Sequence, residues 1–130
     1  MTAELWILVY AAILGLVMVL MPPVFAYSRK GYMQWNASAR DTPFDIGQTA
    51  ERLKRAFANF METFVFFAVI VLVLAFMHRS DAVSQWGARI YLLARIVYIP
   101  CYAFGVTGVR SLVWAVSLVG ILMCLYTVFV

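Results

Sequence analysis

The sequence predicts an all-α integral membrane protein, a bundle of four transmembrane helices forming one membrane domain over residues 1–130, from its composition, its length and its apolar runs. Hydrophobic residues make up 65% of the chain and charged residues only 12%, a balance outside the range of soluble domains. A crossing needs about 20 apolar residues, so four of them use roughly 80 and leave about 50 for connections. The apolar runs fall near 5–25, 50–77, 84–104 and 110–130, separated by short polar segments and one long connection near 27–49.

The first run, Leu5 to Phe25, carries no charge and reaches Met21-Pro22-Pro23, where the prolines are expected to kink or end the helix. Glu4 precedes this run in place of a basic region, and the run is too long for a cleaved signal, so the segment is expected to stay in the mature protein. Tyr27, Arg29 and Lys30 mark the water interface, and the connection that follows holds Tyr32 and Trp35, aromatics suited to lying against headgroups. The second helix is expected from Gln48 or Thr49 through Met77, amphipathic at first and continuously apolar from Thr63. His78 to Asp81 makes the turn to the third span, and Gly105 to Val109 the turn to the last. Six of the ten basic residues lie between Arg29 and Arg55, which predicts a cytoplasmic first loop with both termini on the other side.

Polar side chains recur where lipid should be. At about 100° per residue, Glu51, Arg52, Arg55, Asn59 and Glu62 share one face of the second helix, while Lys54 falls off it and is expected to snorkel to the headgroups. On the third helix Tyr91, Arg95, Tyr98 and Tyr102 share a face, so Arg95 is expected to pair with Glu62. A charge at membrane depth costs about 3 kcal/mol on the insertion scale, and one ion pair does not account for so many polar groups. Arginines recognise carboxylates and a lone acid holds an ammonium, so the pattern suits a small peptide-like zwitterion. Pro100 is expected to kink the third helix and widen a cavity there.

Other classes fit poorly. The basic cluster is interleaved with Asp41, Asp45 and Glu51, which argues against nucleic acid. No metal-ligand spacing occurs, and Cys101 and Cys124 sit in apolar runs as small hydrophobes. A four-span multidrug transporter calls for an acid within the first span, and Leu5 to Phe25 has none.

The run Glu51-Arg52-Leu53-Lys54-Arg55-Ala56-Phe57-Ala58-Asn59-Phe60-Met61-Glu62, with Arg95-x-x-Tyr98-x-x-x-Tyr102 and Arg110-Ser111, resembles the signature of the membrane-associated proteins in eicosanoid and glutathione metabolism, the MAPEG family, and in particular its short bacterial members similar to microsomal glutathione transferases. The resemblance implies a homotrimer that binds glutathione as co-substrate between neighbouring subunits. By position it assigns glutathione binding to Arg52, Arg55, Asn59, Glu62, Arg95, Tyr98 and Tyr102, with Arg29 or Lys30 reaching a carboxylate. Arg110 would stabilise the thiolate with help from Ser111. The expected activity is a transferase joining the thiol to an apolar electrophile from the bilayer, or a peroxidase reducing a lipid hydroperoxide. Phe57 and Ala58 stand where relatives often have polar residues, which keeps open a non-enzymatic lipid-binding or scaffold protein of the same family.

Overall fold

A computed structural model describes all residues, Met1–Val130, as α1 (Ala3–Ala26), α2 (Tyr32–Ala37), α3 (Gln48–Phe76), α4 (Ala82–Ala103) and α5 (Thr107–Phe129). There is no strand. Of the long helices, α1, α3 and α5 are long and apolar enough to cross a membrane. The 22-residue α4 has the length but carries Gln85, Arg89 and Arg95, so apolarity alone accounts for three crossings where four were expected. Only 29 of 130 residues are buried, and large apolar side chains such as Leu16, Leu20, Phe66, Leu72 and Leu122 are exposed. An apolar exterior of that extent belongs in lipid, and the chain is an integral membrane protein.

The start of α1 and the content of the long connection differ from the sequence expectation. Helix α1 starts earlier, at Ala3, because Thr2 Oγ1 accepts from the Leu5 N–H and caps it. It also continues through Pro22 and Pro23 to Ala26. The long connection contains α2, whose Tyr32 and Trp35 pack with Phe44 into an aromatic cluster that seals the end of α1 against α3. Helix α4 likewise passes through Pro100 and ends at Ala103.

The core runs the length of the bundle. Phe67 of α3 stacks on Tyr91 of α4 with ring centroids 4.1 Å apart, and Thr63 Oγ1 and the Tyr91 hydroxyl hydrogen-bond at 3.1 Å. Between α4 and α5 the contact is backbone on backbone. A Cβ placed on Gly120 would lie 2.5 Å from the Gly87 carbonyl oxygen and 2.8 Å from Tyr91 N. Small residues that let helices approach this closely are the usual device where lipid, not water, surrounds the helices.

At the end where α1 and α4 begin, Glu4 is 1% exposed, and its carboxylate accepts from the hydroxyls of Ser80 and Ser84. The Thr127 hydroxyl donates to Asp81 at 3.0 Å, and Arg79 donates to the carbonyls of Thr127 and Val128 at the end of α5. Asp81 is the N-cap of α4 in a reciprocal capping box with Ser84. The Ser84 backbone N–H, with smaller help from the Thr127 and Ser84 side chains, holds the Asp81 carboxyl below its ordinary value. A depressed carboxyl contributes stability above its unfolded value, near 3.9, and that contribution is lost as pH falls through the folded value. Asp81→Ala is therefore expected to lower the melting temperature at pH 7, with the gap from the unsubstituted protein closing below about pH 4, as followed by thermal melts in detergent.

Candidate functional site

The helical stripes predicted on α3 and α4 meet at the opposite end of the bundle. Together with the first turns of α5 they enclose a cavity of about 450 Å³. Arg55, Asn59 and Glu62 line it from α3, Tyr98 and Tyr102 from α4, and Arg110, Ser111 and Trp114 from α5. On α3 and α4 these positions recur at three- and four-residue spacings, as do Arg110 or Ser111 with Trp114 on α5, so each helix contributes one face. Seven residues singled out from the sequence thus come together. Trp114 was not among them, although it lies four residues beyond Arg110 and hence on the same face of α5.

Arg95 occupies a different position from the one expected. It is 1% exposed and donates through Nη2 to Asn59 Oδ1 at 2.9 Å, not to Glu62. Its guanidinium carbon lies 4.4 Å from the Tyr98 ring centroid and 5.7 Å from that of Phe60. Nε and Nη1 have no hydrogen-bond partner. Glu62, one turn further along α3, is exposed and lies in no ion pair. The ion pair of the sequence reading is replaced by a charge-assisted hydrogen bond to an amide, which costs less desolvation than burying a carboxylate as well. That bond also fixes the Asn59 side chain: its oxygen is taken by Arg95, leaving the amino group as the free donor.

Arg110 and Arg55 flank one phenol. Their guanidinium carbons stand 4.7 and 6.0 Å from the Tyr102 ring centroid, within cation–π range, and Tyr102 in turn packs on Tyr98 at 5.7 Å. Neither arginine has a carboxylate within ion-pair distance. The site therefore holds two free cations and one free acid, with Ser111 exposed beside them and its hydroxyl turned to the Thr107 carbonyl at 3.4 Å.

Three other sequence-identified residues lie apart from the cavity. Arg52 donates to the Ala103 carbonyl at 3.1 Å and closes the C-terminal end of α4. Arg29 pairs with Asp45 at 3.5 Å and lies against Gly47, whose φ of +94° and lack of a Cβ make room for the guanidinium. Phe57 faces away from the cavity and lines a separate one, so of Phe57 and Ala58 only Ala58 forms part of its wall. Cys101 and Cys124 are both free.

Apolar helices enclosing a polar, arginine-bearing cavity define an integral membrane protein with a polar site at one end of its bundle. The chain matches the model of the MAPEG family over residues 7–130, nearly its whole length, and belongs to that family. Membership associates it with membrane functions in glutathione or eicosanoid metabolism. No curated protein and no solved structure matches it.

Proposed function

We propose that the protein is a glutathione-dependent membrane transferase or peroxidase that works as a homotrimer, with α4 as a fourth crossing and the loop between α1 and α3 in the cytoplasm. The observation that carries this reading is the charge inventory of the cavity: Arg55 and Arg110 without acids, Glu62 without a cation, and the Asn59 amino group free to donate. Glutathione has two carboxylates, one ammonium and peptide carbonyls, a complementary set. Arg29 and Arg52, which lie outside the cavity of their own subunit, are assigned to glutathione held at a subunit boundary. α4 crosses despite its arginines because Arg95 is enclosed among α3 and α4 side chains and Arg89 packs over Trp86 at 5.2 Å.

Arg110 holds the sulfur as thiolate, with Ser111 beside it, and the thiolate attacks an electrophilic carbon of an apolar acceptor supplied by the bilayer. A carbon–sulfur bond forms, and the electron pair leaves with the displaced group or is protonated on the acceptor. With a hydroperoxide the thiolate takes the terminal oxygen, the O–O bond breaks and the alkoxide is protonated. A second glutathione then yields the disulfide and water. Ala58 in the cavity wall favours one alternative, a lipid-binding member without turnover.

Thermal-shift titration in detergent separates the two. Glutathione at a hundred times its Kd is expected to stabilise the protein by about 2.7 kcal/mol, and Asn59→Ala to remove most of that effect. If millimolar glutathione leaves the melting curve in place while co-purified lipid shifts it, the transferase reading is wrong.

A further inference from the structure

A second cavity, of about 310 Å³, lies at the C-terminal end of α1, between that helix, α2, the loop and α3. We propose that it binds an anionic membrane lipid, the phosphate of the headgroup held between Arg40 and Lys54 and the start of the alkyl chain laid over Val19, Pro22, Ile46 and Phe57. The proposal stands independently of the glutathione reading, since the two cavities share no lining residue.

Charge is the first argument. Arg40 and Lys54 are the charged side chains lining this cavity, no carboxylate lines it, and neither forms an ion pair. Arg40 is positioned at some cost: its backbone has φ +59°, uncommon for a residue with a side chain, and its N–H is held by the Ser38 hydroxyl at 3.2 Å. Its Nη1 stands 3.5 Å from Asn36 Oδ1, which also lines the cavity. Two cations above an apolar floor match an amphiphile, not a free ion.

Rigidity is the second argument. Trp35 donates its indole N–H to the Thr42 carbonyl at 2.7 Å and stacks on Phe44 with centroids 5.4 Å apart, so the wall it forms is fixed before any ligand arrives. Aromatic and basic side chains at one level are characteristic of the headgroup boundary, and basic residues there attract anionic lipid by about 1 kcal/mol each. Lys54, placed by helical geometry off the polar stripe of α3, is thereby given a ligand in place of bulk headgroups.

The probe is hexyl phosphate, titrated by calorimetry into the full chain in a neutral detergent, with hexanol and inorganic phosphate as separate arms. Hexyl phosphate is expected to bind at least tenfold more tightly than either, and the double substitution Arg40→Gln/Lys54→Gln to weaken it tenfold or more. Both side chains are exposed, so the double variant should melt with the unsubstituted protein when no ligand is present. Arg110→Ala should leave hexyl phosphate binding unchanged. The proposal is overturned if hexanol binds equally well, if inorganic phosphate does, if the double variant retains full affinity, or if Arg110→Ala abolishes binding and so places the ligand in the first cavity.

Discussion

Arg110→Ala is expected to lower glutathione turnover at pH 7 by roughly thirtyfold while leaving the fold intact, and to lose most of that defect by pH 9. A thiol with a pKa near 8.5 is only a few per cent ionised at pH 7, so a guanidinium that draws it below 7 gains at most about that factor in thiolate. The sign follows from charge: the cation favours the anionic form, its removal raises the thiol pKa, and the deficit vanishes once the solution is basic enough to ionise the thiol unaided. The fold should tolerate the change because Arg110 is partly exposed, contributes no ion pair and rests on Tyr102. A pH–rate profile for conjugation decides the matter. A defect constant from pH 6 to 9 would mean that Arg110 binds a carboxylate instead of activating sulfur.

The largest effect on stability is expected from Gly120→Val. The new Cβ would fall 2.5 Å from the Gly87 carbonyl oxygen and 3.2 Å from Tyr91 Cα, both backbone atoms that cannot rotate aside. Overpacking in a close-packed interior ordinarily costs about 1–3 kcal/mol, and a clash against backbone belongs at or above the upper end because two helices must separate to relieve it. Separation would disturb the Tyr91 hydrogen bond to Thr63, which links α4 to α3. The expected result is a melting temperature lowered by ten degrees or more, or loss of folded protein on extraction. By contrast, Gly108→Ala meets nothing within 4 Å and should melt with the parent, which makes it the control.

Much of this was legible in the sequence because helices repeat simply. The polar stripes on α3 and α4 could be computed from 100° per residue, and the structure brings Arg55, Asn59, Glu62, Tyr98 and Tyr102 together with Arg110 and Ser111. Which partner a side chain takes was not legible, because that depends on the offset between two helices along their axes. Arg95 consequently meets Asn59 and not Glu62, one turn away. Pro22 and Pro23 lie in the last turns of α1 and do not end it, since the helix runs to Ala26, close to the boundary near residue 25 expected from the apolar run. Glu4 entered the sequence reading only as an argument against a cleaved signal, and its burial under Ser80 and Ser84 is a long-range contact that no local pattern announces. Phe57 appeared to strip the site of a donor, yet it serves the neighbouring cavity.

The Glu4 cluster has a mechanical consequence. At that end three helix termini are tied by side-chain hydrogen bonds: α1 to the turn before α4 and to its first residues through Glu4, and that turn to α5 through Arg79 and Asp81. Glu4 is buried, so pulling it away from Ser80 and Ser84 would leave a carboxylate without partners, which is expensive. At the other end, α5 reaches the cavity without a side-chain hydrogen bond to α3 or α4, its Arg110 resting only on the face of a ring. The bundle is thus pinned by hydrogen bonds at the end where α1 starts and α5 stops, and is held by packing and a cation–ring contact where the polar cavity opens.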